Sequence, residues 1–187
     1  MNENTNPVIY RDFDQKTLNR EYNARDTVDS ITPIIERYIQ ESRRCREKLD
    51  CKLDQQYGPT REETIDLFPA GDKAPVFLFI HGGYWRLLSS KESSFMASNF
   101  VANGIGVAAV NYALAPTVTL DEIVRQVRTS IAWLWENADR YGFDRNRIFI
   151  GGSSAGAHLA GMAMASGWRN FRPRWRPHRP VNCTVSR

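Results

Sequence analysis

The chain has 187 residues, 42% of them apolar and 25% charged, which is enough for one ordinary domain with a sizeable core and too apolar for a disordered chain. Its formal net charge is +4, yet Trp168–Arg187 holds six Arg and no acidic residue, so residues 1–167 carry 19 basic against 21 acidic groups and offer no general polyanion-binding body. The three cysteines, Cys45, Cys51 and Cys183, form no CxxC pair, and so point to neither a disulfide framework nor a zinc site.

The start, "MNENTNPVIYRDFDQ", is polar and acidic without a signal pattern, and no apolar run approaches the ~18 residues that span a bilayer. A soluble, cytoplasmic protein with no membrane partner is expected. Residues 1–60 read as a helical arm. In "TPIIERYIQESRRCREKL", Thr32 can cap, Pro33 suits the first helical position, and Ile34, Ile35, Tyr38, Ile39 and Leu49 approximate one face. After the turn signal "YGPT", "ETIDLFPA" alternates as a half-buried strand would, and "VFLFI", Val76 to Ile80, is apolar on both faces, as suits a parallel strand between two helical layers.

The loop "HGGYWRLL" follows, then a helix signal in which Ser89 and Glu92 have capping-box spacing and Asn103-Gly104 makes the stop. "GVAAVNYALAP" carries the next strand signal. Thr119 and Glu122 repeat the capping box ahead of a helix directing Ile123, Val124, Val127, Ile131, Leu134 and Trp135 to a core, with Gly142 closing it before the strand "RIFIGG". The alternation of strand and helix over residues 61–167 predicts an α/β fold of three layers, α/β/α, around a mostly parallel sheet, with "RIFIGG" belonging inside that sheet.

"FIGGSSAGAHLA" contains Gly152-Ser153-Ser154-Ala155-Gly156, a G-x-S-x-G between a predicted strand and a predicted helix. That is the context of a nucleophile elbow, where small residues let strand and helix pass closely while the serine is lifted to the positive end of the helix. Ser153 fails the frame, since its two-residue neighbours are Gly151 and Ala155, so Ser154 is the candidate nucleophile. The plain alternative is a tight Gly-Ser turn. In "HGGYW", His81 to Trp85, the backbone N–H groups of Gly82 and Gly83, with that of Ala155, are candidate oxyanion donors; a strand-end glycine turn is the structural alternative. Tyr84 and Trp85 are read equally as pocket walls or as packing, while His81 and His158 are read as shaping their surroundings rather than moving protons.

Through "HGGYW", "NYALAPTVTLDEIVRQVRTSIAWLWENADRYG" and "IGGSSAGAHLAGMAM", the chain resembles the α/β-hydrolases, and within them the kynurenine formamidase (arylformamidase) and carboxylesterase group. The resemblance covers about residues 60–165, and "YRDFDQKTLNREYNAR" is similar to the start of the same proteins. It implies hydrolysis of a small-molecule ester or aryl formamide by Ser154, with no metal or organic cofactor.

A serine of this kind needs a base and an orienting carboxylate, in this fold in the order Ser, acid, His. No Asp or Glu follows Asp144, and the one late histidine, His178, lies in the Pro- and Arg-dense "RPRWRPHRP", which continues neither a helix nor a central strand. The expectation is therefore a shortened chain with later strands missing and "RIFIGG" left as an exposed apolar edge, a disordered, aberrant tail over 168–187, poor folding and no hydrolase activity. Two other classes stay open: a non-catalytic hydrolase-like binding module, and binding of nucleic acid or an anionic surface by the basic tail, although no nucleic-acid partner is expected. Oligomeric state is left open.

Overall fold

The computed structural model describes residues 7–23, 27–169 and 171–172, which divide into two compact units with the boundary after Arg37. The first holds a short antiparallel pair, β1 (Val8–Tyr10) and β2 (Phe13–Asp14), and helix α1 (Gln15–Glu21). Asp14 caps α1 by accepting from the Thr17 N–H at 2.8 Å.

Helix α2 (Thr32–Lys48) starts in this unit and continues into the second. Thr32 is already helical, and the Ser30 hydroxyl accepts its N–H at 3.2 Å. In the second unit Tyr38 and Leu49 of the expected stripe pack, Tyr38 stacking on Phe95 with ring centroids 4.4 Å apart, but Ile39 is exposed while Ser42 and Cys45 are buried. Small residues let α2 approach closely; the Ser42 hydroxyl accepts the Ser94 N–H at 3.0 Å.

The second unit is built on a five-stranded sheet comprising β3 (Lys52–Gln56), β4 (Thr64–Phe68), β5 (Ala74–Ile80), β6 (Gly106–Val110) and β7 (Phe143–Gly152), in the order β3-β4-β6-β5-β7. β6, β5 and β7 run parallel, while β3 and β4 join antiparallel. Two crossovers explain the parallel part: α3 (Ala97–Ala102) returns the chain from β5 to β6, and α4 (Leu120–Asn137) from β6 to β7. β3 falls inside the span read as helical from sequence. β4, expected to be half-buried, is buried at all five positions because it lies between β3 and β6 with packing on both faces.

β5 shows the three layers directly. Val76, Leu78 and Ile80 are fully buried in a cluster with Ile123, Val127 and Leu134 of α4 and Leu159 of α5 (Ala155–Ala165). On the other face Phe77 stacks on Phe100 of α3 at 5.1 Å, and Phe79 meets Phe95 edge-on at 6.2 Å. Burying side chains of this size on both faces stabilises by about 2 kcal/mol each.

Thr119 caps α4 through the Glu122 N–H at 3.3 Å, as its spacing predicts, and Gly142 adopts φ +76° after the last turn. The tryptophans are exchanged relative to expectation: Trp133 is buried and Trp135 is 49% exposed. Ser89 accepts from the Lys91 N–H but heads a single 3-10 turn, Ser90–Glu92, because α3 begins only at Ala97. Arg125 pins α4 to the sheet, bonding the fully buried Glu63 at 2.7 Å and Glu122 at 2.6 Å. These hydrogen bonds, those donated to Glu122 foremost, push the guanidinium pKa up.

Among the described residues β7 is an edge strand, and "RIFIGG" is the exposed apolar edge expected of it: Phe149 is 58% exposed and Ile150 is also exposed. A cavity of ≈ 810 Å³ opens along this edge between α4 and α5, lined by Ile131, Trp135, Ile148, Ile150, Met164 and Trp168 among others. At the start of the segment read as an aberrant tail, the Trp168 indole donates to the Ala163 carbonyl at 3.0 Å, and Arg128 lies over Trp168 and Phe171 at 5.0 and 4.0 Å. The rest of that tail, including His178 and Cys183, lies outside the described residues. No helix among the described residues is long and apolar enough to cross a membrane.

Candidate active site

β5 and β7 end side by side, and their register pairs Ile80 with Gly152. From Gly152 the chain turns at once into α5. A Cβ on Gly156 would lie 2.0 Å from the Ile80 carbonyl oxygen, and one on Gly152 would lie 2.5 Å from the Gly156 carbonyl carbon. Both glycines of the motif are therefore required by backbone passing backbone. Between them Ser154 sits at φ +52°, ψ −117°, a conformation outside the ordinary wells for an L-residue that costs ~1–3 kcal/mol. The turn is held by the Gly156 N–H to the Ser153 carbonyl at 2.8 Å and the His158 N–H to the Ser154 carbonyl at 3.1 Å. Ser154 is exposed at the head of α5, immediately before the buried Ala155.

The loop after β5 lies against this corner. A Cβ built on Gly82 would be 3.3 Å from the Ser154 Cβ and 2.7 Å from the Ser153 carbonyl oxygen, so Gly82 is the residue that lets the loop close on the serine. Gly83 takes φ +98°, and the loop continues through Tyr84 and Trp85 at φ +56° and +59°. Among the described residues, the N–H groups of Gly82, Gly83 and Ala155 donate to no backbone carbonyl.

His81 is 1% exposed and faces away from solvent. Its Nδ1 lies 2.8 Å from the Gly82 carbonyl oxygen, its ring stacks on Tyr112 at 4.1 Å with planes 4° apart, and its Nε2 is buried with no partner. Burial lowers its pKa to about 4, opposed weakly by the hydrogen bond to Gly82. It is therefore neutral at physiological pH, in keeping with a role in shaping the loop. The linkage has a definite sign. The unfolded chain takes up this proton near the ordinary value of 6.5 and the folded chain only near 4, so stability is expected to fall by about 3 kcal/mol as pH drops through that interval. Denaturant titrations at pH 7 and pH 4 should show this loss reduced in His81→Asn; an equal loss in both proteins would contradict it.

Trp85 is half-buried against the main core and meets the His158 ring edge-on at 5.2 Å, while Tyr84 is 71% exposed. Trp85 thus packs beside Ser154's helix, and Tyr84 is largely in solvent. The ≈ 810 Å³ cavity includes neither aromatic nor Ser154, although it reaches Gly152 and Ala157 on the far side of the elbow. Sequence reasoning did not single out Tyr112, whose hydroxyl donates to the His81 carbonyl at 2.8 Å, nor Gln126, whose Oε1 accepts the Ala113 N–H at 2.8 Å. The Ala115 N–H in turn donates to the Trp85 carbonyl at 2.8 Å. The available signals were a tyrosine two residues after a buried strand and a glutamine on the core face of α4. Among the described residues no group of three or more His, Cys, Asp or Glu is arranged to hold a metal ion.

A mixed sheet between helical layers, with a strained serine at a strand-to-helix corner and a glycine loop closing on it, defines the architecture of the α/β-hydrolases. The chain belongs to the BD-FAE family, whose model matches residues 67–176. It is 30% identical over 166 residues to a kynurenine formamidase of Salmo salar, covering 87% of this chain and 54% of the relative. It is 36% identical over 118 residues to the esterase LipQ of Mycobacterium tuberculosis, covering 59% of this chain and 28% of that one. Among solved structures, a candidate thioesterase from Silicibacter sp. TM1040 superposes with a TM-score of 0.67 at 27% identity, over 75% of this chain and 53% of that chain. The chain thus spans about half the length of the formamidase it matches.

Proposed function

We propose that this chain carries the nucleophile and oxyanion donors of a serine hydrolase acting on a small ester or aryl formamide. The observation that carries the reading is Ser154 at φ +52°, at the head of α5 and against Gly82. The Ser154 oxygen bonds to the substrate carbonyl carbon as its proton passes to a base, and the carbonyl π pair moves onto oxygen. The N–H groups of Gly82, Gly83 and Ala155 receive that oxyanion, such donors being worth about 3 kcal/mol each in the transition state. Collapse of the tetrahedral adduct breaks the bond to the alcohol or amine, which leaves with the proton. Water then repeats the sequence on the acyl- or formyl-serine and frees the serine.

Among the described residues no base is positioned at Ser154. No carboxylate follows Asp144, His81 is buried behind the loop, and His158 rests against Trp85. With oxyanion donors but no positioned base, the isolated chain is expected to hydrolyse aryl esters only feebly. The formamidase and esterase relatives support a small-molecule substrate, and Trp85 beside the elbow supports one with an aromatic or short acyl group. In a substrate panel, a full-length protein carrying this elbow should cleave N-formyl aryl amines and short-chain aryl esters in preference to long-chain ones. A preference for long acyl chains would overturn the substrate class.

A further inference from the structure

Two consecutive peptide units carry the N–H groups of Gly82 and Gly83, and both of their carbonyls are tied down. The His81 carbonyl, which shares its peptide plane with the Gly82 N–H, accepts the Tyr112 hydroxyl at 2.8 Å. The Gly82 carbonyl, which shares its plane with the Gly83 N–H, lies 2.8 Å from His81 Nδ1. A carbonyl oxygen only accepts, so Nδ1 carries the proton and donates, leaving Nε2 as the bare nitrogen that has no partner. In a planar trans peptide the N–H points opposite to the C=O. Fixing each carbonyl therefore fixes the direction of each N–H.

We propose that Tyr112 is a positioning residue for the oxyanion donors, its hydroxyl orienting and polarising the peptide that bears the Gly82 N–H. The inference rests on the reading of Gly82 as an oxyanion donor. Tyr112 suits this task on three counts. It is 2% exposed, so water does not compete for the His81 carbonyl. Its ring lies flat on the His81 imidazole, which holds the second donor peptide, so one side chain braces both units. Burial raises its phenol pKa, so the hydroxyl remains a donor throughout the working range. A hydrogen bond to the carbonyl of a peptide also strengthens the N–H of the same peptide as a donor, through polarisation along the chain of bonds.

The test uses the 187-residue chain with and without Tyr112→Phe, which removes one oxygen and leaves the ring stack. Two quantities are read: the amide resonance of Gly82 in glycine-15N-labelled protein, and phosphonylation of Ser154 by an aryl phosphonate with imidazole added as external base. Tyr112→Phe should shift the Gly82 amide and slow the labelling step roughly tenfold, with the reversible affinity for the phosphonate unchanged, as expected for one hydrogen bond acting on the transition state. A purely structural loss would weaken affinity and stability together instead. A labelled Ser154 whose rate ignores Tyr112→Phe, or a Gly82 amide that does not move, overturns the assignment of Tyr112 alone. An unlabelled Ser154 in the unmutated chain overturns the nucleophile reading beneath it. If Tyr112→Phe does not fold, 3-fluorotyrosine at all seven tyrosines of the otherwise unchanged chain supplies a more acidic phenol. It should shift the Gly82 amide toward a stronger hydrogen bond, and an unmoved amide there likewise overturns the proposal.

Discussion

Alanine at Ser154, introduced into a full-length relative that carries the same Gly-Ser-Ser-Ala-Gly elbow, is expected to lower kcat by up to ~10⁶, whereas alanine at Ser153 should leave most of the activity. The two serines are adjacent and both exposed, so chemistry on a merely accessible hydroxyl would not separate them. Their backbones do. Ser154 takes φ +52° at the head of α5, where the strand-to-helix turn projects its side chain, whereas Ser153 is tied into the turn through its carbonyl to the Gly156 N–H. On the proposed reading, losing Ser154 removes the covalent route, whereas losing Ser153 removes one hydroxyl. Steady-state kinetics on a short aryl ester decides between them, and retained turnover in the Ser154 variant would end its assignment as nucleophile.

The second large effect is on folding. Gly156→Ala would place a methyl carbon 2.0 Å from the Ile80 carbonyl oxygen and 2.7 Å from the His81 carbonyl oxygen, both backbone atoms of the strand end that carries the glycine loop. Neither is the movable end of a side chain. Either α5 lifts from β5, exposing Leu159 and Ala163 from the core, or the loop shifts away from Ser154. A loss of about 3–5 kcal/mol is expected, a large part of the ~5–15 kcal/mol that holds a typical domain together. By contrast, a Cβ on Gly161, one turn and a half further along α5, meets nothing within 4 Å. Gly161→Ala should therefore be neutral or mildly stabilising, since it removes helical glycine. Denaturant midpoints that are equal for the two variants would contradict this account of the elbow.

The parts of the molecule that were legible in its sequence are those where one local rule decides. The Thr119 cap, the Gly142 stop, the apolar run of β5 and the order strand, G-x-S-x-G, helix each depend on a few neighbouring residues, and each is found where it was expected. Less was legible where the outcome depends on what lies across the fold. Trp133 and Trp135 are both compatible with an α4 stripe, and the rotation of the helix on the sheet selected Trp133. In α2 the apolar Ile34 and Ile39 were the visible signal, yet a close approach to the Ser94 segment favoured Ser42 and Cys45. β4 alternates in polarity and is nonetheless wholly buried, because Asp66 within it is enclosed and accepts the Asp54 N–H at 2.8 Å. Enclosure raises the pKa of that carboxyl, which no pattern of residue types announces. At the site, the turn that carries Ser154 was visible because strand, G-x-S-x-G and helix follow one another locally. The Tyr112 contact was not, since its hydroxyl reaches a carbonyl 31 residues away.

Covalent mapping tests the central claim most directly. The 187-residue chain is incubated with an aryl phosphonate, with imidazole supplied as an external base, then digested and sequenced by mass spectrometry. The expected result is a single adduct on Ser154 whose formation accelerates with imidazole concentration and vanishes in Ser154→Ala, together with negligible ester turnover when imidazole is withheld. An adduct on Ser153, or rapid turnover by the chain without any added base, would contradict it.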